Sequence, residues 1–244
     1  MRLSRNLSAA WVAVLAILAP LNARADETVA VDAAVVLAAD VSRSIDDDEF
    51  AMERRGYAEA LVNQQFLDAV STGKHGAIAL AYAEWASDAE QKLVIDWMVI
   101  RNVTDANAFA AALIEAPRSF FGRTAIGSAI DFSFALFGGT KMAAERRIID
   151  VSGDGTSNQG RSVTAARDAA VAGGAVINGL AIRNRRAEAL GGYLALHTNP
   201  PGGLAQYYRD NVIGGTGAFV VPIEGFNGFG EAMLRKLVSE IAAR

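Results

Sequence analysis

Cysteine is absent from this chain, which rules out disulfides and any zinc site built on thiolates. Histidine is nearly absent too. His75 sits in a polar turn before a strand and His197 in a long loop. No G-x-S-x-G elbow occurs, so a hydrolase that pairs a nucleophile with a base has little to build with. Extra carboxylates or histidines for a second ion, which a metal-dependent phosphatase uses, are also not seen. Basic residues are short as well, 23 against 27 acidic ones for a net charge of −4, with no polybasic run. That balance argues against nucleic acid or an anionic membrane surface as a partner. No phosphate loop is present either, because Gly139-Thr140-Lys141 lacks the glycine spacing and the preceding strand.

The chain opens on a short basic start, Met1-Arg-Leu-Ser-Arg5, followed by an apolar run from Ala9 to Leu21. That run is shorter than the about 20 residues a membrane span needs. Ala23 and Ala25 supply the small residues of a cleavage site, so residues 1–25 read as a signal peptide cut after Ala25. An uncleaved anchor is the competing reading. Export to the periplasm or beyond follows, with no membrane insertion after cleavage. The segment removes Arg2, Arg5 and Arg24 and no acid, leaving the mature chain more acidic still. Residues 26–244 suit one domain with a full core.

Strand-like and helical patterns alternate along that domain. Ala33–Asp40 is a continuous apolar run, the mark of a strand covered on both faces. Asp46–Val62 reads as a helix with an acidic first turn. Ala77–Trp85 and Leu93–Ile100 read as strands whose short link permits only an antiparallel hairpin. Helices are expected over Asp105–Ala116, Ala125–Phe137 and Ser162–Ala172, and strands over Arg147–Ser152, Ala175–Ile182 and Ala218–Ile223. A terminal helix, Phe226–Ala243, is expected to bury Phe226, Phe229, Met233, Leu237 and Ile241, with Arg235, Lys236 and Glu240 off that stripe. The pattern predicts an α/β fold with a doubly wound, mostly parallel six-stranded sheet. In such sheets ligands bind beyond the carboxyl ends of the strands, where strand order reverses.

Asp40-Val-Ser-Arg-Ser44 lies at one such end. In an extended segment, side chains two residues apart share a face, so one carboxylate and two hydroxyls can converge. Hard oxygens of this kind suit Mg²⁺, Mn²⁺ or Ca²⁺. A plain strand-to-helix turn, with Ser44 or Asp46 as cap, would also use these residues. Two later segments add to the motif. Gly122-Arg-Thr-Ala-Ile-Gly127 puts Thr124 where a loop enters a helix, and Arg146–Gly155 ends a buried strand in Asp154 between two glycines.

With these pieces in this order the chain resembles the von Willebrand factor A (VWA) domain. Its longer stretches, Ser44–Phe50 and Ile149–Gly155, look most like secreted bacterial VWA-like proteins of unassigned function. The resemblance implies a Rossmann-like fold with an antiparallel edge strand. It also implies a metal-ion-dependent adhesion site (MIDAS) formed by Asp40, Ser42, Ser44, Thr124 and Asp154. Ser42, Ser44 and Thr124 would coordinate directly, and the two Asp directly or through water. An open position would take a carboxylate from an unknown protein partner. The cofactor expected is a divalent cation, Mg²⁺ first, with Mn²⁺ or Ca²⁺ as alternatives.

The leading expectation is therefore a non-catalytic, metal-dependent binding module. A scaffold with an unused site and a metal-dependent hydrolase are the alternatives. Asp46, Asp47 and Asp48 read as a solvated helix start, and Asp150 as a buried carboxylate needing a structural partner. Trp85 and Trp97 read as core. Arg183–Gly203, long for its place after a strand, reads as a loop on the metal-bearing face that contacts a partner, or as a plain insertion.

Overall fold

The computed structural model describes residues 28–242; the expected signal peptide lies outside them. In chain order the first elements are β1 (Val29–Val31), β2 (Ala33–Asp40), α1 (Asp47–Leu61) and α2 (Gln64–Ser71). Then come β3 (Ile78–Trp85), β4 (Gln91–Ile100), α3 (Val103–Glu115), α4 (Ile126–Leu136) and β5 (Met142–Ala144). The rest are β6 (Arg147–Gly153), α5 (Val163–Ala172), β7 (Ala175–Arg183), α6 (Arg185–Ala189), α7 (Gly192–Thr198), α8 (Leu204–Asn211), β8 (Val220–Glu224) and α9 (Phe229–Ala242).

The main sheet has the order β4-β3-β2-β6-β7-β8, parallel except for the edge strand β4, which pairs antiparallel with β3. Every side chain of β2 and β3 is buried, as expected of strands covered on both faces. On one face the core joins β-strand residues Val35, Leu37 and Leu80 to Tyr57 of α1, Phe109 of α3, and Phe229 and Leu237 of α9. On the other, Val36, Ile149 and Ile177 pack on Ile126 and Ile130 of α4, Ala166 of α5 and Tyr208 of α8. Strand order reverses between β2 and β6, which run side by side with Ala39 opposite Ser152. Their carboxyl ends therefore deliver Asp40 and Asp154 to one place.

Asp46 caps α1 through a reciprocal box. The Glu49 amide donates to Asp46 Oδ1 (2.8 Å) and the Asp46 amide donates to Glu49 Oε2 (2.9 Å), satisfying two donors the helix start would otherwise orphan. The short pair β1–β5, α2 and the helices α6 to α8 are additions to the sequence pattern. The last helix starts at Phe229, three residues later than expected, because Gly225 turns the chain with φ 75°; Phe226 is buried all the same. Its charge pattern corrects the expectation. Lys236 and Glu240 are fully buried with the apolar stripe. Lys236 Nζ lies 2.5 Å from Asp150 of β6 and 2.6 Å from Glu240, and Asn178 of β7 donates to Glu240 (2.8 Å). Asp150 thus has the structural partner its burial requires. Trp85 is buried and Trp97 half-buried.

Candidate metal centre

All five residues singled out in sequence are buried beyond the ends of β2 and β6. Asp40 Oδ1 accepts the Ser42 amide at 2.7 Å, the turn-forming bond typical of Asp after a strand. Ser42 Oγ lies 3.1 Å from Ser44 Oγ, and Ser44 Oγ donates to Asp154 Oδ1 at 2.6 Å. Ser42, Ser44 and Asp154 therefore form a run of contacting oxygens, and the Ser42 amide ties Asp40 to it. Thr124, just before α4, lines the same cavity of about 470 Å³ as Ser42 and Ser44. Its amide donates to Asn158 Oδ1 (3.1 Å), and its Oγ1 lies 3.2 Å from His197 Nε2.

Residues outside the predicted set hold this arrangement. Arg118 Nη2 donates to the carbonyls of Val41, Ser42 and Ile45, each at 2.9 Å, so one guanidinium fixes the loop carrying the hydroxyls. Asn184, the first residue after β7, donates from Nδ2 to Asp154 Oδ2 (2.8 Å) and to the Ser44 carbonyl (3.1 Å). Arg186 donates to the Ser44 carbonyl (2.7 Å) and pairs with Asp46 and Glu49. Asp46 thus serves the helix start, while Asp47 and Asp48 are exposed. Asn184 had one sequence signal, its place at a strand's carboxyl end. Arg118 had none, since its work is done on backbone carbonyls far away in sequence.

The segment 184–203 does lie on this face, and it is built as α6 and α7 instead of an open loop. Asn184, Arg186 and His197 all come from it. Leu190, Tyr193 and Leu196 stand 62–66 % exposed there. Across the cavity, Phe121 is exposed and stacks under the Arg118 guanidinium, 4.0 Å from its ring centre.

Electrostatics set the site apart from its surroundings. Asp40 Oδ2 is buried and has no hydrogen-bond partner, and the buried Tyr208 hydroxyl is likewise unpartnered. Burial, and next the neighbouring Asp154, push the Asp40 carboxyl well above the usual range. Burial also pushes Asp154 up to about 6, against the hydrogen bonds from Ser44 and Asn184. Beneath them Glu53 is pushed up to about 8 by burial, although Ser152 donates to it at 2.9 Å. Burial lowers His197, which favours its neutral form. Two carboxylates whose charged forms are disfavoured by burial, plus an orphaned carboxylate oxygen, fit a dication with hard oxygen donors. Among the described residues no group of three or more His, Cys, Asp or Glu is placed to hold a metal by itself. The donor set here is a pair of carboxylates completed by hydroxyls.

The family described as Protein of unknown function (DUF1194) matches residues 30–244. A comparison with curated proteins finds no match. Among solved structures, proximal thread matrix protein 1 from the mussel byssus, with a zinc-occupied MIDAS motif, aligns with a TM-score of 0.55 at 16% identity. That alignment covers 88% of this chain and 48% of the mussel protein. The pilus adhesin SpaC from Lactobacillus rhamnosus GG gives 0.54 at 12%, over 87% of this chain and 31% of that one. A von Willebrand factor type A protein from Catenulispora acidiphila gives 0.52 at 14%, over 87% and 42%. This chain thus spans about half the length of the mussel protein or less of the others. These likenesses establish the VWA fold.

Proposed function

For a chain that belongs to the DUF1194 family and folds as a VWA domain, we propose an exported, non-catalytic protein-binding module that works through a divalent cation. The observation carrying this reading is the run of contacting oxygens from Ser42 through Ser44 to Asp154, beside Asp40, which accepts the Ser42 amide and keeps one unpartnered carboxylate oxygen. Asp40 and Asp154 would supply charge to the ion, and Ser42, Ser44 and Thr124 the geometry. When bound, the dication supplies an electrophilic centre for an acidic side chain of a partner. Arg118 and Asn184 hold the backbone carbonyls of Ser42 and Ser44, which fixes the loop that carries their hydroxyls. The mussel protein with a zinc-occupied MIDAS motif and the pilus adhesin lend support by analogy of fold.

The surroundings favour a particular kind of partner. Arg43 and Arg123 line the cavity and are exposed, and Phe121, Tyr193 and Leu196 present exposed apolar surface on the same face. An acidic residue flanked by apolar ones would match both features. Thr124 and His197 pair a hydroxyl with an imidazole in the cavity, but the other ring nitrogen meets Thr156 and not a carboxylate, which supports binding over catalysis. Among the described residues no helix is long and apolar enough to cross a membrane. Capture of partners from an envelope extract in Mg²⁺ and in chelator tests the reading. A partner retained only with the ion, and lost with Asp154→Ala, supports it; equal retention in chelator contradicts it.

A further inference from the structure

We propose that Lys236 and Asp150 form a cross-link by themselves, an amide between Lys236 Nζ and Asp150 Cγ that ties α9 to the central strand β6. This is independent of the metal reading. Lys236, Asp150 and Glu240 are each at most 1% exposed and meet at one point in the core. Lys236 Nζ lies 2.5 Å from Asp150 Oδ1 and 2.6 Å from Glu240 Oε1. Asn178 stands beside Asp150 in the β6–β7 register and aims Glu240 by donating to its Oε1 at 2.8 Å. A buried ion pair repays its desolvation only when its remaining oxygens are satisfied. Here neither Asp150 oxygen accepts a hydrogen bond, and nor does Glu240 Oε2. Joining Lys236 to Asp150 replaces that buried charge pair with a neutral amide.

The chemistry balances within the three side chains. The Lys236 ammonium passes one proton to Asp150, giving an amine and a carboxylic acid. The Nζ lone pair attacks Cγ while the Glu240 carboxylate takes a second proton from Nζ. Glu240 returns that proton to the leaving Asp150 hydroxyl, which departs as water. One C–N bond forms and one C–O bond breaks, nothing is oxidised or reduced, and Glu240 is regenerated. Burial, and next Glu240, push Asp150 up to about 7, so its acid form, the better electrophile, is well populated near neutrality. Burial works to lower Lys236, but Asp150 and Glu240 outweigh it and favour the ammonium, which is why a base in contact with Nζ is needed. Groups held in this way reach effective molarities of about 10⁵–10⁸ M, and a dry core keeps out the water that would reverse the reaction.

The test is the intact mass of the purified protein, denatured before measurement. The wild type should be one water lighter than its sequence requires. Trypsin should fail to cut after Lys236, and the digest should contain a branched peptide joining β6 to α9 through Asp150 and Lys236. Lys236→Arg, which keeps the charge but offers no amine, should have its full mass. Glu240→Gln, which keeps the shape but cannot take the proton, should also have its full mass while still melting cooperatively. A wild type of full mass with Lys236 cut normally overturns the proposal. So does a water loss that persists in Lys236→Arg or maps to a cyclic imide at Asp154-Gly155. A Glu240→Gln protein cross-linked as completely as the wild type overturns the proposed chemistry.

Discussion

Asp154 joins the two halves of the centre, because its Oδ1 receives Ser44 and its Oδ2 receives Asn184. Its folded pKa of about 6 lies above the ordinary 3.8. Between those values the chelated native state binds more protons than the unfolded chain, so stability falls as pH rises through the window. A neutral amide at this position escapes that term. Asp154→Asn, melted in chelator beside the wild type, should therefore gain relative stability between pH 4 and pH 7, by at most about 3 kcal/mol. A difference between the two proteins that does not change with pH would contradict the strained-carboxylate account.

In α9 the sequence misplaced two charged residues. Helical periodicity separated its apolar stripe correctly but placed Lys236 and Glu240 off that stripe, whereas both are buried with it. Here Asp150, from a strand more than eighty positions away, compensates Lys236 inside the core. The sequence carried half of that signal, an acid inside an apolar strand, and could not say which cation would meet it. Lys236→Ala strands Asp150 and Glu240 without a counter-charge and should cost about 3–5 kcal/mol near neutral pH. The loss should shrink as pH falls, since burial and Glu240 already push Asp150 up to about 7 even with Lys236 present. Leu237→Ala, one residue on and equally buried, should cost about 2–5 kcal/mol at either pH. Thermal melts at pH 5 and pH 7.5 separate the two behaviours, and a pH-independent Lys236→Ala would count against the buried cluster.

Elsewhere legibility followed the length of the pattern. Ala33–Asp40 emerged with the bounds read from its apolar run, and α1 with its cap at Asp46. Three-residue strands such as Val29–Val31 carry too little periodicity to be seen. The short helices α6 and α7 are built from polar and glycine-containing sequence, so they passed for a loop. Asp40, Ser42, Ser44, Thr124 and Asp154 could be named in advance because a spaced motif encodes them. Arg118 and Asn184, which hold backbone and carboxylate in place, belong to no such motif.

At the scale of the molecule, the parallel sheet brings the carboxyl ends of β2 and β6 together and so creates the site. The chain's acidic balance and the expected cleavage after Ala25 concern where that site is presented. Intact mass of exported protein should correspond to a start at Asp26, and a membrane-fixed species retaining Met1–Ala25 would contradict export. The central claim is that the Asp40–Asp154 centre binds a divalent ion, and the most direct measurement is the melting curve with and without one. Ion present at about 100 times its dissociation constant should stabilise the native protein by roughly 2.7 kcal/mol. For a domain of this size that raises the melting temperature by several degrees. Ser42→Ala should weaken the response and Asp154→Ala abolish it. A wild-type curve indifferent to Mg²⁺, Mn²⁺, Ca²⁺, Zn²⁺ and chelator would contradict the account, leaving a VWA scaffold whose site is not used.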